Sequence, residues 1–312
     1  METRQIGIAG LEATEIGLGT NAVGGHNLYD DLSEENGIAL VRRAVELGVS
    51  FIDTADIYGM GRSEELVGKA LGHNKYDVLV ATKGANEWDD KGRVGVNNDP
   101  KYLRKALENS LKRLNRDYVD LYYIHAPDPE HKFHLAKSFE ELLKLKEEGK
   151  IKSAGVSNFS LEQLKEAIEA GPVEALQSQY NIFNRDVEQE ILPFCEEQDV
   201  SFVPWGPLAF GLLGGKYTRD FKLTEGDWRN NLPLFAEENF KANLDIADEL
   251  KKLADERGVP LAHLALRWLL RKPVVKSVIV GAKRPDQVDD NVGAVGWDLT
   301  QQELDRIDEL TG

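Results

Sequence analysis

Eight short β-rich runs, helix-patterned segments between them, and Asp, Lys and His at the closing positions of three of the runs predict an α/β fold. The form expected is a (β/α)8 TIM barrel with an N-terminal β-hairpin and two extra helices. The runs are EIGLGT (15–20), VSFIDT (49–54), DVLVATK (77–83), YVDLYYIH (118–125), KSAGVS (152–157), EALQSQY (174–180), SFVPWG (201–206) and SVIVGA (277–282). Parallel strands buried on both faces read this way, as short, nearly continuous apolar stretches.

The segments between them change to a helical period and carry end signals. SEENGIALVRRAVELG opens on Ser33 as N-cap, with Asn36 three residues on, and stops at Gly48. SLEQLKEAIEAG offers the capping box Ser160 and Gln163 and stops at Gly171. KYLRKALENSLKRLN, LAKSFEELLKLKEEG, VEQEILPFCEEQ, ANLDIADELKKLADERG and RPDQVDDNVGAVG repeat the pattern. Outside it, RQIGIAGLEATEIG turns at Ala9 and Gly10 and reads as a hairpin closing the bottom of the barrel. PLAHLALRWLLRK, with Pro260 at its first turn, is an extra helix before the eighth strand, and QQELDRIDELTG is a terminal one. The stretch 206–238 is rich in Gly, Pro and Asp and too long for an idle connection.

A chain of 312 residues, 41% hydrophobic and 29% charged, suits one barrel domain across 1–312. No apolar run approaches the roughly 18 residues of a membrane span, and METRQIGIAG lacks signal-peptide character. A cytoplasmic protein without membrane contact is expected. The net charge of −16 and a pI near 4.9 argue against a nucleic-acid partner, so any bound phosphate needs a local basic pocket. Cys195 is the single cysteine; it precludes an internal disulfide and reads as a buried, inert thiol. His131 and His134, near Asp128 and Glu130, read as a solvated loop rather than a metal site, and His263 as a surface or packing residue. No metal is expected.

Asp53, Lys83 and His125 close the second, third and fourth runs, which places them at the C-terminal rim where barrel enzymes do their chemistry. Tyr58 follows Asp53 by five residues, and Gly59 and Gly61 let that loop fold the phenol back over the mouth. Taken singly, Asp53 with Lys83 suits a buried ion pair and His125 a satisfied core histidine. Together the four fit carbonyl reduction. Asp53 holds Lys83 as a cation, Lys83 is expected to lower the Tyr58 pKa from about 10, and Tyr58 donates a proton while His125 polarises the same oxygen. None of the four supplies a hydride, so a cofactor must.

Two familiar nucleotide patterns fail on context. GLGTNA (17–22) is followed by loop rather than helix, and GLLGGKY (211–217) is one residue short of a Walker loop, with Tyr217 in the magnesium-binding position. Better placed is VGAKRPDQVDDN, where Gly281, Ala282, Lys283 and Arg284 stand at a helix entry near Pro285. Helix amides and two adjacent cations there form an anion site suited to a 2′-phosphate, favouring NADP over NAD.

DTADIYG, ATK, IH, GVSNF, QSQYN, PWGPLAFGLLGGKY and GAKRPDQVDDN together resemble the aldo-keto reductase superfamily along essentially the whole chain. GLGTNAVGGHNLY and GRSEEL are most similar to a bacterial subgroup that includes the reductase associated with inositol catabolism. The resemblance implies a barrel binding NADP(H) across its rim, with Asp53, Tyr58, Lys83 and His125 as catalytic tetrad and Tyr58 as proton donor. It implies Ser157, Asn158 and Gln179 at the carboxamide and Trp205 stacked on the nicotinamide, with Thr20, Asn21 and Asp53 nearby. Gly206, Pro207, Leu208, Gly211, Leu213, Gly215 and Lys216 would follow the pyrophosphate, under a loop closed by Arg229. Gly281, Ala282, Lys283, Arg284, Gln287 and Asn291 would receive the adenosine phosphate end.

Trp205 stands where many relatives have Tyr, and Ala126 where many have an aromatic residue or Arg, which implies a wider pocket on that side. Substrate contacts are then expected from His26, Tyr29, Trp88 and Ala126. The reading is an NADPH-dependent reductase of small-molecule aldehydes or ketones, acting as a monomer. Two rivals share the fold: an NADPH-binding regulatory or sensor protein with slow turnover, and a phosphate-binding isomerase or aldolase using a Lys base. The intact tetrad weighs against the first, and Tyr58 with GVSNF and QSQYN against the second.

Overall fold

Alternation along the barrel strands sorts the side chains into an inner and an outer core. The computed structural model describes residues 1–312 apart from Asp30, Asn74 and Asp90. The chain opens with β1 (Thr3–Ile6), β2 (Leu11–Thr14), β3 (Ile16–Gly19), α1 (Asn21–Gly24), α2 (Glu34–Glu46), β4 (Phe51–Asp53) and α3 (Arg62–Leu71). It continues through β5 (Leu79–Gly84), β6 (Asn86–Trp88), β7 (Val94–Val96), α4 (Pro100–Leu114), β8 (Val119–Ile124), α5 (Leu135–Glu147), β9 (Ile151–Ser157) and α6 (Leu161–Ile168). β10 (Ala175–Gln179), α7 (Ile191–Glu197), β11 (Ser201–Trp205), α8 (Glu237–Arg257), α9 (Leu261–Leu270), β12 (Val278–Gly281), α10 (Pro285–Asn291) and α11 (Gln301–Thr311) complete it.

Eight strands pair in parallel in the order β11-β10-β9-β8-β5-β4-β3-β12. A parallel bridge between Phe202 and Val275 joins the two edges, with Phe202 N donating to Val274 O and Lys276 N to Phe202 O, each at 2.9 Å. The expected barrel is therefore the observed one, each strand falling on one of the eight runs with boundaries shifted by at most two residues. The cap readings also agree with the structure: Ser33 accepts from Asn36 N, Ser160 and Gln163 form a capping box, and Gly48 has φ of +83°.

Inward-facing Phe51, Ala81, Leu121, Tyr123, Ala175, Val203 and Ile279 fill the barrel and meet Ile6, Leu11 and Ala13 of the β1–β2 hairpin. The hairpin is thus a plug for the N-terminal end, turning through Gly7 and Gly10 at φ of +63° and +72°. Its base is held by buried Glu15, which accepts from Arg4 and, at 3.1 Å, from Arg267. Ile52, Val80, Tyr122, Ile124, Val156, Leu176 and Phe202 point the other way, into the helical layer. α9, apolar nearly all round, is buried along its whole length.

The β6–β7 hairpin departs from expectation: a reading from periodicity leaves 86–96 as loop, yet Asn86 pairs with Val96 and Trp88 with Val94. Three-residue strands around a polar Gly-containing turn carry too little alternation to signal themselves. The stretch after β11 is built from short 3-10 turns at Ala209–Gly214, Trp228–Asn231 and Pro233–Phe235. Cys195 is fully buried, and burial pushes its thiol up to about 12. Among the described residues no helix is long and apolar enough to cross a membrane, and no group of His, Cys, Asp or Glu is gathered for a metal ion.

Candidate active site

Inward positions recur every second residue, so the residue two beyond a barrel-core side chain reaches the mouth. Phe51 leads in this way to Asp53, Ala81 to Lys83, and Tyr123 to His125. Lys83 is fully buried; its Nζ donates to Asp53 Oδ1 at 2.5 Å and to Thr54 O at 2.7 Å. Gln177 donates Nε2 to Asp53 Oδ2 at 2.9 Å, so both carboxylate oxygens are partnered. The rings of Tyr58 and Tyr123 stand 5.4 and 6.0 Å from Lys83 Nζ. A carboxylate, a carbonyl and two π faces therefore hold the buried cation.

Tyr58 returns over the mouth through a left-handed turn, with φ of +62° at Gly59, +53° at Met60 and +94° at Gly61. Asn27 pins this turn, its Oδ1 accepting from Gly59 N at 2.7 Å. A Cβ at Gly59 would overlap the Gly24 carbonyl oxygen. Gly59→Ala is expected to cost more than about 1 kcal/mol in thermal unfolding and to lower turnover by displacing the phenol, both measurable on the purified variant.

The Tyr58 and His125 rings meet edge to face, centroids 6.1 Å apart and planes at 84°. Burial raises the Tyr58 phenol above its usual value, and Lys83 only partly opposes it. Lys83 acts in the expected direction, but the expected net fall below about 10 does not result: loss of water outweighs the neighbouring cation. Burial, with Lys83 adding to it, pushes His125 down to about 3. At neutral pH the site presents a protonated phenol, a neutral imidazole and a charged lysine.

Other expected residues fall around this centre. Thr20 is fully buried, its hydroxyl donating to Asp53 O at 3.0 Å and its carbonyl accepting from Ser63 Oγ at 2.8 Å, which ties β3 to β4. Asn158 Nδ2 donates to His125 O at 3.0 Å and to Ser157 Oγ at 3.1 Å, while its Oδ1 accepts from the Trp205 indole at 3.0 Å. One amide thereby links β8, β9 and β11 and fixes the half-buried indole. Gln179 shares the inward face with Gln177 at the end of β10. Beyond Trp205, Gly206 has φ of +67°, and Ala209, Phe210 and Gly211 take 47°, 56° and 105°. Leu213 is wholly buried as packing, whereas Gly215 and Lys216 are exposed.

Arg229 forks onto Asp227 and donates to the Tyr217 hydroxyl at 2.8 Å, so it closes its own loop. The basic pair is not free: Arg284 pairs with Asp286 at 3.0 Å and Lys283 with Asp31 at 2.9 Å. The backbone amides of Lys283 and Arg284 both donate to Gln287 Oε1, at 2.7 and 3.2 Å. Of the substrate candidates, Tyr29 lies under Lys283 at 4.6 Å and accepts from Asn21 at 3.4 Å. His26 is exposed, 3.8 Å from Glu34. Trp88 ends β6, two residues beyond Asn86, and Ala126 is next in sequence to His125. His134 lies 3.0 Å from Glu166, and His263 is buried against the Asp290 carbonyl.

Three residues beside the site escape a reading of the sequence. Gln177 was accessible to it, since period two on β10 sets Gln177 and Gln179 on one face. Asn86, 2.8 Å from His125 Nδ1, opens a three-residue strand and Asn27 lies in a loop, and neither leaves a periodic trace. Asp56 is also buried, with Oδ1 unpartnered; burial and Glu64 push its carboxyl well above the usual range, against Arg113.

A model of the Aldo/keto reductase family matches residues 15–311. The chain is 37% identical over 313 residues to Aldo-keto reductase YhdN of Bacillus subtilis, covering 99% of this chain and 93% of that protein. It is 34% identical to Aldo-keto reductase yakc [NADP(+)] of Schizosaccharomyces pombe, covering 98% and 90%. The structure superposes on that of the glycerol dehydrogenase AKR11B4 from Gluconobacter oxydans with a TM-score of 0.92 at 37% identity, covering 99% of this chain and 94% of that one.

Proposed function

The chain belongs to the aldo/keto reductase family, and from that premise we propose that it is an NADP-dependent oxidoreductase reducing aldehydes or ketones to alcohols. The observation that carries this reading is the meeting of a protonated Tyr58 and a neutral His125 above the buried Lys83. NADPH, when bound, supplies a hydride to the carbonyl carbon. Tyr58 gives its proton to the carbonyl oxygen, completing the hydroxyl, and His125 holds the same oxygen by a hydrogen bond. Lys83 stabilises the negative charge that develops on the phenol oxygen, and Asp53 keeps Lys83 charged and in place.

The residues present fit the dinucleotide. An indole held in orientation by Asn158 offers a flat apolar face, and the left-handed turn after it turns backbone rather than side chains to a ligand. Arg284 and Asp286 form an exposed pair, worth little in water. A 2′-phosphate, carrying more charge than a carboxylate, is able to recruit Arg284 from it. The relative named for NADP(+) supports the same choice.

NADPH oxidation followed against a panel of aldehydes, ketones and sugars tests the reading; no turnover with any of them, despite NADPH binding, would return the regulatory alternative. Arg284→Ala is expected to weaken NADPH about 10- to 100-fold and NADH less than about threefold, as for one charged hydrogen bond. Equal losses for both cofactors would show that Arg284 does not read the 2′-phosphate.

A further inference from the structure

We propose that Asn86 is a positioning residue that sets the tautomer of His125, so that Nε2 carries the proton offered to the substrate oxygen. The inference deepens, and rests on, the reading of Tyr58 and His125 as the pair that receives a carbonyl oxygen. Asn86 Nδ2 stands 2.8 Å from His125 Nδ1. With Nδ2 turned to the ring, the amide donates and Nδ1 offers its lone pair. In a neutral imidazole the single ring proton is then on Nε2.

The local fold is arranged around this contact. Ala85, wholly buried, takes φ of +110°, a strained conformation for a non-glycine residue. That residue is where the chain leaves β5 and turns into the β6–β7 hairpin, with Asn86 as its first residue. Asn97 N donates to Ala85 O at 2.7 Å, and the Tyr102 hydroxyl donates to Asn86 O at 2.5 Å, fixing the strained step from both sides. His125 is fixed equally well: its N donates to Gly84 O at 2.7 Å and its O accepts from Asn158. With both backbones held, the amide and the ring have one register in which to meet.

The titratable groups near the imidazole are Lys83 of β5 and Tyr58 of the β4–α3 loop, with Asp53 of β4 paired to Lys83. None of these places a carboxylate against Nδ1 to stabilise a proton there. A carbonyl oxygen has two lone pairs, one for the Tyr58 hydroxyl and one for a second donor. With the other tautomer, Nε2 would turn a lone pair toward that oxygen and repel the charge developing on it.

Asn86→Asp exchanges the donor for an acceptor with little change in shape. Its carboxylate should draw the proton to Nδ1, leaving Nε2 bare. For this variant kcat/KM for aldehyde reduction is expected to fall about 10²-fold at pH 8, as for loss of one oxyanion donor. It should recover as the pH drops and the imidazolium forms, since that ion carries a proton on both nitrogens. The unsubstituted protein should be flat over the same range, and Asn86→Leu should fall about 3- to 10-fold with no new pH dependence. Nitrogen-15 NMR of histidine-labelled protein reads the tautomer without turnover: Nδ1 bare and Nε2 protonated in the unsubstituted chain, reversed in Asn86→Asp. Finding Nδ1 protonated in the unsubstituted protein, or the same tautomer in Asn86→Asp, overturns the proposal. Full activity of Tyr58→Phe would instead overturn the catalytic reading and leave the tautomer assignment standing.

Discussion

Tyr58→Phe should reduce kcat for aldehyde reduction by about 10²- to 10⁴-fold, the range typical of a lost general acid. NADPH binding, followed by fluorescence, should stay within about twofold. The separation is expected because the ring and the hydroxyl have different duties. The ring packs edge-on to His125 and over Lys83, contacts that phenylalanine retains. In the proposed reaction the hydroxyl adds a proton that burial holds at neutral pH and that the Lys83 cation assists in leaving. Loss of binding in this variant, or undiminished turnover, would remove Tyr58 from the role.

The pH dependence follows from the same geometry. A phenol raised by burial keeps its proton through neutrality, so reduction should be independent of pH until the solution is strongly alkaline, then fall as the phenolate forms. His125, pushed down to about 3, is neutral throughout and contributes no inflection near its ordinary value of about 6.5. Alcohol oxidation, which needs the phenolate as proton acceptor, should rise where reduction falls. A reduction profile with an inflection between pH 6 and 7 would show an imidazolium at work.

Features fixed by short-range physics were legible in the sequence. The strand runs, the caps at Ser33 and Ser160 and the inward march to Asp53, Lys83 and His125 all follow from periods of 2 and 3.6 with a closed parallel sheet. Legibility ends where a contact depends on how separate segments come together. Asn86 reaches His125 only because Ala85 adopts a backbone angle that alanine rarely takes, and no propensity scale anticipates that step. The acidity of Tyr58 depends on assembly in a similar way. Sequence indicated that Lys83 would be near, but the balance between its charge and the exclusion of water belongs to the assembled mouth. Lys283 and Arg284 stand adjacent in sequence as a basic pair, yet Asp31, 252 residues away in sequence, and Asp286 engage them.

Lys83→Met is expected to lower the free energy of unfolding by about 3–5 kcal/mol, because it leaves Asp53 buried without a counter-ion. The pair is almost sealed from water, with side-chain exposures of 1% for Lys83 and 3% for Asp53. Gln177 would remain on Oδ2, but an amide does not neutralise a carboxylate. Adding Asp53→Asn removes the orphaned charge, and the double variant should regain most of the loss. Neither variant should reduce aldehydes at the rate of the unsubstituted protein. Chemical denaturation, with turnover measured beside it, separates the two duties of the pair. Turnover restored together with stability in the double variant would make Lys83 and Asp53 a structural ion pair alone.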